Sequence, residues 1–356
     1  MTKLDRPRFA DTAFKSDSIC SLPESPRKRE RVGDELQPVG TYAGTNPYNG
    51  MLEDVETLQD HDAVDPEFTD KDWWWNHNRI RFLNGKMGLK FLILVIPFTW
   101  VLLLVVGGMA FIGWGLLELA KQYEWSGILV GFFALVLLPG WMLLSFWMIR
   151  PTTNWIMSTG IGFFLKPFEK LLEGKFDQSL EDGCSEFNRV TGQVRFALGR
   201  NRFFEAPFVE FDAYVERVVQ QGGIFYRLMF VHRYTQKTFN QTWLSGVEAS
   251  KSDVLALWDM LQRYMDVTQP LPDVPRLEPF RHLDPVTREH DEKSGRDPRY
   301  WRDLDIEAWK IGGGVELLNR LRSYPWGSRV CKLTPQLGKV SLEEYREMRP
   351  EGAWPI

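Results

Sequence analysis

Apolar positions fall into three patterns along this chain. From Phe91 to Leu117 and from Trp125 to Ile149 they form two runs without a charged residue. Each exceeds the roughly 20 residues a helix needs to cross about 30 Å of hydrocarbon. Only Glu118 to Glu124 separates them, which predicts a transmembrane helical hairpin over 91–149. From Glu186 onward the pattern shortens to strand-like alternation. EFNRVTGQVRFAL reads as strands at Phe187 to Arg189 and Gln193 to Leu198 around a turn at Thr191-Gly192; further strands are expected at Phe208 to Tyr214 and Gly223 to Tyr234, and a strand or turn near Phe239 to Trp243. The third pattern is helical. Between Ser250 and Asp266, apolar residues recur at Val254, Leu257, Trp258, Leu261, Tyr264 and Met265, with Ser250 or Ser252 as cap.

Several strands closed by one amphipathic helix imply a cytosolic α+β domain over 186–268, following the hairpin. In element order it is similar to small membrane-attached domains of the pleckstrin-homology-like kind. The flanks read as less ordered. Residues 1–72, interrupted by Pro7, Pro23, Pro26, Pro38 and Pro47 and with isolated apolar positions, predict a disordered arm. A membrane-proximal segment is expected over 73–90, with Trp73, Trp74 and Trp75 resting on the surface or packing against the cytosolic part. Residues 150–185, containing FFLKPFEKLLEGKF, predict an interfacial linker. Beyond 269 the five prolines from Pro270 to Pro285 suggest an extended connector, and TREHDEKSGRDPRYW a solvated loop. A helix over Ile306 to Leu321 should break at Gly312 to Gly314. Ser341 and Glu344 have capping-box spacing for a terminal helix that wraps the preceding domain.

Charge adds orientation. Arg79, Arg81, Lys86 and Lys90 precede the first run, Arg150, Lys166, Lys170 and Lys175 follow the second, and the intervening turn has only Lys121. Retention of basic flanks in the cytoplasm places both termini there. A net charge of -4 and a pI near 5.9 give no basic body of the kind nucleic-acid binding demands. The knot at Arg27, Lys28, Arg29 and Arg31 suits either anionic lipid contact or a solvated linker. Small residues at Gly107, Gly108, Gly127 and Gly131 allow close helix approach, within the hairpin or between copies in a homo-oligomer. The absence of charge in either run argues against a proton relay, an ion-coupled transporter or a voltage sensor.

No metal or cofactor is expected. The histidines His61, His77, His232, His282 and His290 form no HxxxH or Cys-His cluster, and GxSxG, P-loop and GxGxxG patterns are lacking. Cys20, Cys184 and Cys331 lie far apart and read as free thiols. The candidate binding residues are Arg195, Arg200, Arg202, Arg227 and Arg233, whose planar forks suit phosphate or carboxylate but can equally balance Glu205, Glu210, Asp212 and Glu216. The expectation is a non-enzymatic module. The competing enzyme reading requires Arg227 or Arg233 to converge with His232 or a carboxylate in a pocket acting on a phosphate-bearing or lipid-head-group substrate. Over roughly residues 70–270, the acidic arm, the hairpin and the segments FNRVTGQVRF, ALGRNRFFEAPFVEFDAYV and IFYRLMFVHRYT resemble bacterial inner-membrane proteins found beside type VI secretion and other contact-delivered antibacterial effectors. That resemblance implies a membrane or secreted effector protein as partner, through an immunity role or as an adaptor for effector loading; it carries over no active-site residues.

Overall fold

The computed structural model describes residues 9–26, 33–44, 51–69, 73–83, 95, 97–156, 184–199, 202–239 and 242–356. Two compact units divide the chain: Lys86–Ser179, and a larger unit assembled from Met1–Gly85 together with Leu180–Ile356.

The larger unit is an α+β domain whose described residues form two antiparallel sheets. Strands β2 (Arg79–Leu83), β3 (Cys184–Asn188), β4 (Gln193–Gly199) and β5 (Arg202–Pro207) pair in sequence order. In the second sheet, β1 (Glu35–Pro38), β6 (Phe211–Gln220), β7 (Gly223–His232) and β8 (Thr238–Phe239) pair in that order, and β9 (Val247–Glu248) also pairs with β7. Helix α4 (Lys251–Met265) packs against β6 and β7. Aromatic side chains join the three layers. Phe230 of β7 lies 5.5 Å from Phe187, 5.6 Å from Phe196 and 6.1 Å from Trp258 between ring centroids. Such pairs add about 0.5–1.5 kcal/mol each beyond the area they bury.

The sheet topology changes the expected organisation. Strand β2 lies before the hairpin and β3 after it, yet they are adjacent, with Leu83 opposite Cys184 and Arg79 opposite Asn188. The apolar hairpin is therefore inserted between neighbouring strands of one sheet instead of preceding a separate domain at 186–268. Trp73 and Trp75 belong to the core of this larger unit. Sequence periodicity could not reveal the arrangement, because the pairing spans the whole insertion and a five-residue strand carries little pattern of its own.

The expectation of a disordered arm over 1–72 is likewise corrected for its described residues. Phe14, Leu22, Val39, Val55, Leu58 and Phe68 are buried in the main core, and α1 (Met51–Val64) is a helix. Isolated apolar residues suffice because each enters a cavity built by other segments, while the polar backbone is satisfied by side chains of α4. Gln262 accepts from Gly40 N and Thr41 N and donates to Thr41 O at 2.7, 3.2 and 3.1 Å. Gly192, in the turn between β3 and β4, has φ +69°, and a Cβ there would stand 2.3 Å from Thr12 O. The arm thus passes directly over a turn that excludes any side chain. The basic knot at 27–31 lies outside the described residues.

Predicted strand ends shift by the geometry of the corners. Phe208–Glu210 is a 3₁₀ turn, and β6 begins only at Phe211. Ser250 caps α4 by accepting from Ser252 N. At the opposite end of that helix the fully buried Arg189 donates to Asp266 O at 2.9 Å and to Tyr264 O, and through Nη2 to Gln269 O at 2.8 Å. A guanidinium there meets the carbonyl oxygens at the negative end of the helix dipole. The proline-rich stretch is not an extended connector: Pro275–Leu283 is 3₁₀ helix, with Leu271, Val274 and Leu277 buried. The expected solvated loop contains α5 (Pro285–Ser294), capped by Asp284 and ended by left-handed Gly295. Here an N-cap carboxylate, a proline in the first turn and a terminal glycine outweigh the high charge. Helices α6 (Ile306–Ile311) and α7 (Gly313–Ser323) meet at the expected glycine break, and α8 (Leu342–Met348) carries the expected capping box.

In the smaller unit, α2 (Pro97–Gln122, including a π-helical stretch at Leu103–Gly107) and α3 (Gly127–Trp155) are both long and apolar enough to cross a membrane. Their ends differ from expectation. Glu118 to Gln122 stay helical, as strong helix formers do, so the turn contracts to Tyr123–Ser126. Helix α3 runs on to Trp155, through six residues assigned to the linker; residues 157–183, with FFLKPFEKLLEGKF, lie outside the described residues, as does most of 91–96. The helices are joined by indole hydrogen bonds. Trp141 Nε1 donates to Leu104 O within the π-helical stretch, and Trp100 Nε1 to Thr152 Oγ1, both at 3.0 Å. Gly108 makes the first of these possible, since a Cβ there would stand 2.1 Å from Trp141 Nε1. Gly107 has only Leu103 at 4.0 Å, and Gly127 and Gly131 face open space.

Candidate functional site

The five candidate arginines are not brought onto one face. Arg195 on β4 pairs at 3.3 Å with Glu186, its cross-strand neighbour on β3, and lies 4.8 Å over the Phe203 ring. Arg202 begins β5 and is exposed, and Arg200 lies outside the described residues. On the other sheet, Arg227 faces Glu216 in register on β6 and pairs with it. Arg233 is buried; its Nε donates to Asp212 at 3.0 Å and its Nη1 to Val209 O at 2.7 Å. Three of these guanidinium groups balance carboxylates of the same sheet, and the residues divide between two sheets. Arg233 follows His232 in sequence, but its side chain runs to Asp212 and not to the imidazole.

A different set of polar groups converges. Glu210 sits in the 3₁₀ corner between β5 and β6, set by Pro207 and by Phe208 N donating to Gly192 O. Its fully buried carboxylate accepts from His232 Nε2 at 2.7 Å, Tyr345 OH at 2.9 Å, and Arg349 Nε and Nη2 at 2.7 and 2.8 Å. The two-pronged guanidinium contact is the strong form of such pairing. Burial pushes the Glu210 carboxyl up, but the hydrogen bonds from His232 and Arg349 outweigh this and hold it below the usual range. His232 is depressed, first by burial, against the opposing pull of Glu210. Thr235 N donates to His232 Nδ1 at 3.2 Å, so the neutral ring carries its proton on Nε2 and donates it to Glu210.

Thr235 Oγ1, His232 and Glu210 stand in the order hydroxyl, imidazole, carboxylate, with Oγ1 2.9 Å from Nδ1. The hydroxyl oxygen, however, accepts from Lys237 N within the turn after β7. Meanwhile the imidazole is fully buried and the carboxylate is already filled by Arg349 and Tyr345. The arrangement joins the β5–β6 corner, the end of β7 and α8 by neutralised charge around a wholly buried imidazole.

Beside it a cleft of about 210 Å³ is lined by Phe14, Lys15, Cys20, Gln193, Tyr345 and Arg349, among others. Cys20 is exposed at the surface, and partial desolvation by its neighbours pushes its thiol up, away from the reactive thiolate. Among the described residues no cluster of histidine, cysteine or carboxylate could hold a metal ion. The chain after α8 completes the region: Trp354 N donates to Glu205 O at 2.7 Å on β5, and the Trp354 ring stacks on Phe204 at 4.9 Å. Lys237 Nζ lies 4.4 Å from the Trp354 ring and 5.0 Å from that of Phe204. Sequence reasoning found neither Glu210 as a hub nor the C-terminal residues that meet it. The capping box gave the helix that carries Tyr345 and ends just before Arg349, but not its destination.

Comparison with protein-family models, with curated proteins and with solved structures finds no match.

Proposed function

We propose that this chain is a non-enzymatic protein-binding module anchored in a bacterial inner membrane, with a pleckstrin-homology-like domain in the cytoplasm. The observation that carries the reading is the insertion of the apolar hairpin between β2 and β3, whose ends Leu83 and Cys184 are cross-strand partners. A hairpin placed there tethers the domain at two chain positions and still permits the strands to pair. Meander strands in two sheets followed by one packed helix support the pleckstrin-homology-like comparison. The apolar windows of the two helices are almost wholly exposed, which supports lipid as their environment. Confinement to a surface raises the effective concentration of the module toward a partner acting at the same membrane. The partner is a membrane or secreted effector protein, against which this chain protects its host. Homo-oligomers form through the open Gly127 and Gly131 face of α3.

Two measurements test this. Reporter fusions after residue 83, at Tyr123–Ser126 and after residue 356 are expected to read cytoplasm, periplasm and cytoplasm; a periplasmic reading at the last would remove the topology. In competition between a deletion strain and its parent, an immunity role leaves the deletion strain sensitive to its siblings. A strain that resists but cannot kill competitors identifies an adaptor for effector loading instead, and no phenotype in either role refutes the antibacterial reading.

A further inference from the structure

Strand β5 is the last of its sheet, paired with β4 on one side only. An open strand edge is a template for another extended chain. Here the chain's own residues 353–356 lie against it. Trp354 N donates to Glu205 O at 2.7 Å. From the other side, α8 and the residue following it read the carbonyls: Arg349 Nη1 donates to Trp354 O at 2.9 Å, and Arg346 Nε to Ile356 O at 2.7 Å. The floor is the Phe204 ring, on which Trp354 stacks at an interplanar angle of 28°, and Lys237 lies over both rings. The seat therefore recognises main-chain N–H and C=O groups plus one aromatic side chain. The Ile356 side chain, like Trp354, also packs partly against the core.

The occupant is only partly covered. Glu351, Gly352 and Pro355 are exposed and Trp354 is half-buried, whereas the arginine and the phenylalanine that form the seat are fixed by the buried Glu210 cluster and the core. Losing the tail would leave the seat standing.

We propose that residues 353–356 are a displaceable occupant of a peptide seat on the β5 edge, and that the seat takes an extended segment of a partner protein with an aromatic side chain in place of Trp354. This deepens the protein-binding reading above and rests on it. Occupation by the tail makes the seat self-inhibited, since a competitor binds only the fraction of molecules whose tail is released.

The test uses the full chain in detergent micelles and a dye-labelled peptide with the sequence of residues 350–356, followed by fluorescence anisotropy. Two variants loosen the occupant: a chain ending after Arg349, which removes it, and the full-length Trp354→Gly, which removes only the ring stacked on Phe204 and leaves its main-chain contacts to be competed away. Both are expected to bind the peptide at least about tenfold more tightly than the unaltered chain. A peptide with alanine in place of its tryptophan should bind none of them. Equal binding to all three chains, equal binding of the alanine peptide, or no binding to the Trp354→Gly chain at unchanged near-ultraviolet circular dichroism overturns the proposal. Failure here with an intact sibling-competition phenotype removes the β5 seat alone; loss of the phenotype removes the wider reading.

Discussion

Helices α3 and α4 are made from similar apolar residues and meet opposite fates. In α3, Trp147 is 77% exposed and Leu143 71%, and the sole fully buried side chain is that of Ser145, which donates to Trp141 O at 2.8 Å. In α4, Trp258, Leu261 and Tyr264 are completely covered by the two sheets and by the arm. Both sequences bury their apolar surface, but α4 finds its cover in the same chain, while in the proposed setting the cover of α3 is lipid. Polar residues are also used differently. The hairpin spends its few on indole and hydroxyl bonds between helices, whereas the domain sinks whole charges, as at Glu210 and Arg189, and satisfies each several times.

Truncating a tryptophan in each helix separates the two kinds of cover most strongly. Trp258→Ala should cost about 3–5 kcal/mol by denaturant unfolding of the domain, the usual size for an aromatic removed from a packed core. Trp147→Ala should stay within about 0.5 kcal/mol by the same measurement; equal losses would show that α3 is a core helix after all. Similar in size is Glu210→Ala, at about 3–5 kcal/mol, because it strands the buried Arg349 charge. Circular dichroism of the hairpin helices should not change in that variant.

Smaller effects sharpen the contrast. Gly108→Ala should destabilise the hairpin by about 1–3 kcal/mol, as overpacking does, because Trp141 must leave Leu104 O. Gly131→Ala, facing open space, should leave the monomeric hairpin unchanged and weaken only association between copies, read by cross-linking.

Acid should destabilise the domain in two stages. His232 has a folded pKa below its ordinary 6.5. The unfolded chain therefore takes up this proton first, and the associated stability is present above pH 6.5 and lost as pH falls below it. Glu210, held below its ordinary 4.5, contributes stability present above that pH and lost as pH falls through its folded pKa. Thermal melts across this range should show His232→Gln reducing the upper stage and leaving the lower one, with the remainder of the upper stage coming from His282, which burial also holds below its ordinary value. The least effect is expected for Arg202→Ala, an exposed residue, within about 0.5 kcal/mol.

Much of the local structure was legible in the residues. The two apolar runs, the turn at Gly192, the capped helix from Ser250, the break at Gly312 and the capping box at Ser341 each depend on neighbours a few positions apart, so a short window contains the cause. The arginine candidates were legible as chemistry and not as geometry. Whether Arg227 and Arg233 receive a ligand or balance a carboxylate depends on Glu216 and Asp212 across the strand, which register alone decides.

Hydrocarbon-length helices and amphipathic segments were readable from the residues alone, because propensity, capping and periodicity act over one or two helical turns. The folded chain settled that β2 closes on β3 across the hairpin, and that the arm and the C-terminal segment around Leu333 and Tyr345 share one core. It also decided that Glu210, His232 and Arg349, spread over 139 residues, share one buried charge cluster. Those outcomes rest on the burial of polar groups. A buried carboxylate or backbone amide is stable only when its partner arrives, and the partner can stand anywhere in the chain.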